Sequence, residues 1–318
     1  MRYAILKTPH ANARYEKSIR PLMAGEIQAA LKKLGYEAQI ESVVYNGLEL
    51  MTFDVPARLT EAEAACICSL SSLCALFEYE QALIPAMQKQ EAHGFADMPY
   101  ILKYKGKTNE MFTRFLINMA RFHASGRVER VLDPLCGKGT TLFMALSLGL
   151  DACGVEHDKK EVGECVRFVK SYLQRERIKH AYQAQSMTYK GRQAGMKHSF
   201  SIQNERSLQI TLGDTQHAQS FYKTPFDILA ADLPYGIQHG AQDGALRLVQ
   251  KNAAGWKQML RPRGALAIAF NAHTTKRDDL AKALALSGLD VLRGKGYEDM
   301  QHFVEQAVLR DVLIAIAR

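Results

Sequence analysis

A chain of 318 residues with 47% hydrophobic and 23% charged side chains has room for one large or two smaller domains and the balance of an ordinary soluble globular protein. The apolar run after Met1 is too short for a signal peptide and no stretch approaches a membrane span, so a cytoplasmic protein without a membrane partner is expected. The net charge of +8 is uneven, with nine basic and eleven acidic residues in 1–95 but eleven basic and five acidic in 157–207, and a local basic excess points to an anionic polymer as partner.

Residues 1–95 read as a small α+β domain. Tyr3 to Leu6 suits a strand, and Ala24 to Leu34 has helical spacing with Gly35 as its stop. Ala38–Val44 and Leu48–Val55 alternate as a hairpin turned at Asn46-Gly47. Thr60 and Glu63 have capping-box spacing at the head of a helix expected over 60–76. Pro85 to Pro99 is polar and reads as a linker to a second domain, 96–318. Six cysteines, at positions 66, 68, 74, 136, 153 and 165, form no C-x-x-C pair; buried reduced thiols are expected and zinc is not.

The second domain is organised by Asp133-Pro-Leu-Cys136-Gly137-Lys-Gly139-Thr140. A strand over 128–132 runs into a glycine turn, and a helix starts at Thr140. Strand, glycine turn and helix is how an α/β sheet makes a cofactor site. The third glycine of the dinucleotide fingerprint is replaced by Leu142, which favours a cofactor without phosphates. Strand 152–156 ends in Glu156, where a carboxylate can accept hydrogen bonds from a ribose. A helix follows over 159–174. The polar, basic stretch 183–207, with Lys190, Arg192, Lys197 and Arg206, reads as a mobile insertion, a hairpin or flap offering phosphate contacts. A strand over 208–212 then leads to Asp214. The strand over 226–231 ends at Asp232-Leu233-Pro234-Tyr235-Gly236. A helix over 245–260, a turn at 261–264, a strand over 265–270, a helix over 278–286 and closing strands over 291–296 and 312–317 complete the pattern.

The two stretches at Asp133 and Asp232, in this order, resemble the S-adenosylmethionine-dependent amino-methyltransferases of nucleic acids. Their first motif reads D-P-x-C-G-x-G-T and their second D/N/S-P-P-Y, with Leu233 standing here for the first proline. Residues 1–95 resemble the amino-terminal ferredoxin-like part of THUMP-type RNA methyltransferases. The resemblance implies a Rossmann-like class I fold with a seven-stranded, mostly parallel sheet and an antiparallel final pair. It implies S-adenosyl-L-methionine held by Asp133, Cys136, Gly137, Gly139 and Thr140, with Glu156 at its ribose, Asp214 at its adenine, and Thr108 and Asn109 in the segment that closes over it. Asp232 and the Leu233 carbonyl would bind the hydrogens of the target amino group, Pro234 would stiffen the turn, and Tyr235 would offer a ring for the base to stack on. The expected activity is methylation of a base in RNA, foremost guanine N2 in tRNA. Adenine-N6 methylation of RNA or DNA, and a non-catalytic RNA-binding protein, stand as alternatives.

Overall fold

In this computed structural model the described residues are 1–9, 18–87, 95–189, 192–203, 206–235 and 244–318. Part of the expected linker, Lys190 and Gly236 lie outside them, as does the side chain of Arg192. The first sheet combines β1 (Arg2–Lys7), β2 (Glu41–Tyr45), β3 (Leu48–Asp54), β4 (Leu73–Tyr79) and β5 (Leu83–Met87) in the order β2-β3-β1-β4-β5, with all its pairs antiparallel. Helices α1 (Arg20–Lys33) and α2 (Glu61–Cys68) connect β1 to β2 and β3 to β4, a β-α-β-β-α-β path. Asn46 and Gly47 take φ of 48° and 82°, as a two-residue turn matching the strand twist requires. The Thr60 and Glu63 capping box forms reciprocally.

Two expectations here need correction. The helix ends at Cys68, and Leu73–Tyr79 is a strand instead. A short apolar run reads as either element locally, and pairing with β1 decides it. The expected linker begins inside β5, which pairs with β4.

Among the described residues the second sheet holds ten strands: β6 (Arg130–Asp133), β7 (Asp151–Glu156), β8 (His180–Tyr189), β9 (Arg192–Ile202), β10 (Arg206–Gly213), β11 (Phe226–Asp232), β12 (Leu260–Asn271), β13 (Leu289–Val291), β14 (His302–Glu305) and β15 (Val308–Ala317). Its order is β13-β15-β12-β11-β6-β7-β10-β9-β8, with β14 on β15. The run β10-β7-β6-β11-β12 is parallel throughout, and β15 returns antiparallel between β12 and β13. Among the described residues the expected seven strands are therefore ten. The surplus is β14 and the hairpin β8–β9, whose strand β9 pairs residue for residue with β10; of the hairpin or flap expected there, the structure has the hairpin, built into the sheet. Arg261–Gly264 lies inside β12 rather than in a turn before it, and β13 sits a little before the expected strand over 291–296.

Helices α3 (Met98–Ile101), α4 (Glu110–His123), α5 (Thr140–Ser147), α6 (Lys159–Arg175), α7 (Ala218–Phe221), α8 (Gly244–Met259) and α9 (Arg277–Leu286) surround this sheet. Alternation along a strand sends successive side chains to opposite faces. On β11, Ile228 and Ala230 join the core built with α4, α5 and α6, whereas Leu229 and Ala231 join the one built with α8 and α9. Burial on both faces explains why the parallel strands read as continuous apolar runs.

The first sheet shares the α4 core, and a polar knot fastens it there. Glu26 of α1 is buried and accepts from Asn118 Nδ2 of α4 at 2.8 Å, from Ser71 Oγ at 2.6 Å and from Ser71 N. Of the cysteines, Cys68, Cys136, Cys153 and Cys165 are buried, Cys66 is half-buried and Cys74 is exposed. Cys74 departs from the expectation because alternation along β4 points it outward.

Candidate functional site

Parallel strands end at one edge, so β6, β7, β10 and β11 bring Asp133, Glu156, Asp214 and Asp232 to the same rim of the sheet. This is where open α/β sheets take ligands. The turn after β6 closes through Gly139 N–H donating to the Cys136 carbonyl at 2.8 Å and Cys136 N–H donating to Val155 at 3.0 Å. Gly139 has φ of 93°, and a Cβ there would stand 2.8 Å from Cys165 Sγ and 2.9 Å from the Phe143 ring. Gly137 also has positive φ, 49°, but a Cβ on it would meet nothing nearer than Glu161 Oε2 at 3.7 Å. One glycine is demanded by packing, and the other leaves open backbone that a ligand can approach.

The turn is ringed by acids. Burial, reinforced by the Glu156 and Asp232 charges, pushes the Asp133 carboxyl up to about 7, against hydrogen bonds from Leu135 N–H and the Thr141 side chain. Burial also raises Glu161, opposed by Lys138 and reinforced by Glu156, Asp158 and Glu164. Such a cradle repels phosphates and suits a ligand with cationic groups. Glu156 accepts from Gly137 N–H at 3.0 Å and Asp158 N–H at 2.8 Å. His157 Nδ1 also lies 2.9 Å from Glu156 Oε1, and since a carboxylate has about four acceptor positions, Oε2 leaves room for a hydroxyl donor. Asp158 caps α6 through Lys160 and Glu161 N–H. Asp214 is exposed and caps the 3-10 turn Thr215–His217 by accepting from Gln216 N–H at 2.8 Å.

The segment before α4 touches both halves of the site. Tyr104 shares a 2.8 Å hydrogen bond with the Thr140 hydroxyl at the start of α5, and Lys138 lies over its ring. Four residues on, Thr108 donates to Asp232 Oδ2 at 2.7 Å. Asn109 caps α4 by accepting from Phe112 N–H at 3.2 Å, so its side chain serves the helix start.

At Asp232 the Tyr235 hydroxyl donates to Oδ1 at 2.6 Å and to Oδ2 at 2.8 Å. Burial and the Asp232 charge raise the Tyr235 phenol far above its ordinary value. Tyr235 was expected to present its ring to a base; here its hydroxyl turns inward to the carboxylate. Leu233 is buried with its N–H donating to Ala269 at 2.8 Å, while Pro234 is exposed.

Sequence reading missed the layer behind Asp232. Arg310 of β15 reaches Asp232 Oδ2 with Nη2 at 3.2 Å and the Tyr235 hydroxyl with Nε at 2.5 Å. Its guanidinium lies 4.3 Å from the centre of the Phe112 ring. His302, paired opposite Arg310 on β14, is pushed down to about 4 by burial and the neighbouring guanidinium. Neither residue lies in a motif; the buried Arg310-Asp311 pair within an otherwise apolar closing strand is the local signal.

The basic segment also sits differently from expectation. Lys197 is half-buried and donates to the Phe221 carbonyl at 2.6 Å, so it serves the fold. The exposed cations lie along and after α6, at Lys159, Lys160, Arg167, Arg175, Arg177 and Lys179.

A family model described as RMKL-like, methyltransferase domain, matches residues 101–296. No curated protein matches the chain. Among solved structures the chain is similar to TrmN from Thermus thermophilus, with 12% identity, all of both chains covered and a TM-score of 0.47. It is also similar to the 16S rRNA N2 G1207 methyltransferase RsmC of T. thermophilus, with 15% identity over 89% of this chain and 51% of that one and a TM-score of 0.41. A TehB-like SAM-dependent methyltransferase from Corynebacterium glutamicum gives 16% identity over 61% and 83%, with a TM-score of 0.37.

Proposed function

The chain belongs to the RMKL-like family of methyltransferase domains, and on that premise we propose that it transfers a methyl group from S-adenosylmethionine to an exocyclic amino group of a base in RNA, guanine N2 of tRNA first among the candidates. The observation that carries the reading is the Asp232 carboxylate, held by Thr108 and Arg310 on the strand beside the Asp133 turn. A base amino group is a poor nucleophile because its lone pair is delocalised into the ring. A carboxylate accepting one of its N–H bonds, with the Leu233 carbonyl accepting the other, favours the pyramidal nitrogen whose lone pair can attack.

When bound, S-adenosylmethionine supplies a methyl group on a sulfonium sulfur, already electrophilic. The residues fit it: the open backbone at Gly137 and the acidic ring of Asp133, Glu156 and Glu161 suit its positive charges, and Glu156 suits its ribose. Asp214 is the proposed acceptor for its adenine amino group. With the electrophile supplied, the protein's contribution is orientation and exclusion of water. The exposed cations of α6 offer the RNA backbone its counter-charge, and the first sheet, fastened at Glu26, would position the RNA. A cytoplasmic RNA-modifying enzyme is the role that follows.

Incubating the purified chain with radiolabelled S-adenosylmethionine and unmodified tRNA, rRNA and DNA, then resolving the labelled nucleosides, tests the proposal. Label in N2-methylguanosine of tRNA is the expected result. Label in N6-methyladenine keeps the chemistry and changes the base; cofactor binding with no label in any polymer overturns the substrate assignment.

Asp133 makes cofactor binding depend on pH. Its folded value of about 7 lies above the ordinary 3.8, so the folded chain holds a proton there that the unfolded chain has lost. The stability gained by holding it is complete below about pH 4 and vanishes as pH rises through about 7. A cationic ligand favours the carboxylate, so binding expels the proton. Affinity should strengthen as pH rises toward neutrality, by up to about tenfold per pH unit on the acid side of 7. Calorimetric titration in buffers of different ionisation enthalpy measures the proton released; a pH-independent Kd with no proton release excludes Asp133 as its source.

A further inference from the structure

Resting on the proposed reaction at Asp232, we infer that Arg310 is a positioning residue that sets the hydrogen-bond polarity of the acceptor site and holds Tyr235 in the place an incoming amino group must take. A guanidinium can only donate. With Arg310 Nε against the Tyr235 oxygen at 2.5 Å, that oxygen accepts, and the phenolic proton is left to point at Asp232 Oδ1 and Oδ2. Oδ2 also receives the Thr108 hydroxyl and Arg310 Nη2. Oδ1 receives the Tyr235 proton. A base N–H approaching Asp232 therefore replaces the Tyr235 O–H at Oδ1, one donor for another, while Thr108 and Arg310 keep Oδ2 in place.

Arg310 is well fixed for this task. It is 3% exposed on β15, whose pairing with β12 continues through Arg310 opposite Asn271, and its guanidinium lies over Phe112 of α4. Tyr235 is the exchangeable member of the set, at the end of a turn that leads out of β11. Once displaced, its ring is available for the stacking role that its inward hydroxyl precludes.

The test compares the full-length parent with Arg310→Lys and Arg310→Gln, both polar and long enough to fill the site. Losing one charge-assisted contact costs about tenfold to a hundredfold. Both variants should lose this in kcat on bulk tRNA while keeping Kd for S-adenosylmethionine within about twofold. Lysine should fail to restore the rate because one ammonium cannot reproduce the two-pronged contact. Independently of turnover, the ring-carbon NMR signal of Tyr235, assigned by its absence in Tyr235→Phe, should shift in both variants. Parental kcat in either variant, or an unmoved Tyr235 signal, overturns the inference. A parent that methylates no polymer refutes the functional reading instead, and the Tyr235 signal then decides the Arg310 polarity by itself.

Discussion

Asp232→Ala lowers kcat by about three orders of magnitude or more, while the Kd for S-adenosylmethionine changes by less than about threefold. The first expectation follows from the role proposed for the carboxylate, accepting from the amino group whose lone pair must be freed. The second follows from its place on β11, with β6 between it and the strand that ends in Glu156. Alanine also removes the carboxylate from beside Arg310, whose side chain is 4% exposed, and breaking a buried ion pair costs about 3–5 kcal/mol. Asp232→Asn separates the two effects. Its amide oxygen can still accept from Thr108 and Arg310, but its NH2 presents donors to an incoming donor. Asparagine should therefore fold like the parent and remain inactive in single-turnover assays. Parental turnover in the folded asparagine variant removes Asp232 from the mechanism.

Gly139→Ala destabilises the chain by about 2–4 kcal/mol, adding a left-handed backbone penalty to overpacking, and abolishes cofactor binding with it. The added methyl would have to displace Cys165 Sγ and the Phe143 ring, at 2.8 and 2.9 Å, and both belong to the core under α5. Phe143 N–H donates to the Gly139 carbonyl, so a shifted Gly139 also unsettles the first turn of that helix. Gly137→Ala is the informative companion. Its backbone penalty is about 1 kcal/mol and its Cβ meets no packed atom, so its melting temperature should fall only slightly. Its methyl instead occupies the open side of the turn and should weaken S-adenosylmethionine binding. Coincident melting curves for Gly139→Ala and the parent would show that α5 yields to the methyl and that the glycine is dispensable for folding.

The glycine turn, the acidic strand ends and the Asn46-Gly47 hairpin were legible because each depends on neighbours a few residues away. Positive φ favours glycine or asparagine, as at Asn46, Gly47, Gly137 and Gly139, and a helix start asks for Thr60, Asn109 or Asp158 beside its free N–H groups. Burial on both faces likewise leaves an apolar run in the sequence of β6, β7 and β11. Residues 73–76 were misread as helix because a short apolar run fits either period, and pairing with β1 supplies the ladder that selects a strand.

The acceptor site divides along the same line. Asp232, Pro234 and Tyr235 form a local motif, but their hydrogen bonds are made with Thr108 from before α4 and Arg310 from the returning strand β15. Whether Lys197 faces RNA or the Phe221 carbonyl was equally invisible in its neighbours and followed from β9 pairing onto β10. By itself, the sequence determined which turns bend the chain and which strands end in carboxylates, since short-range sterics and burial are written into residue type. Only the tertiary structure decided which donors meet the Asp232 carboxylate, because that depends on strand pairings between residues far apart in the chain.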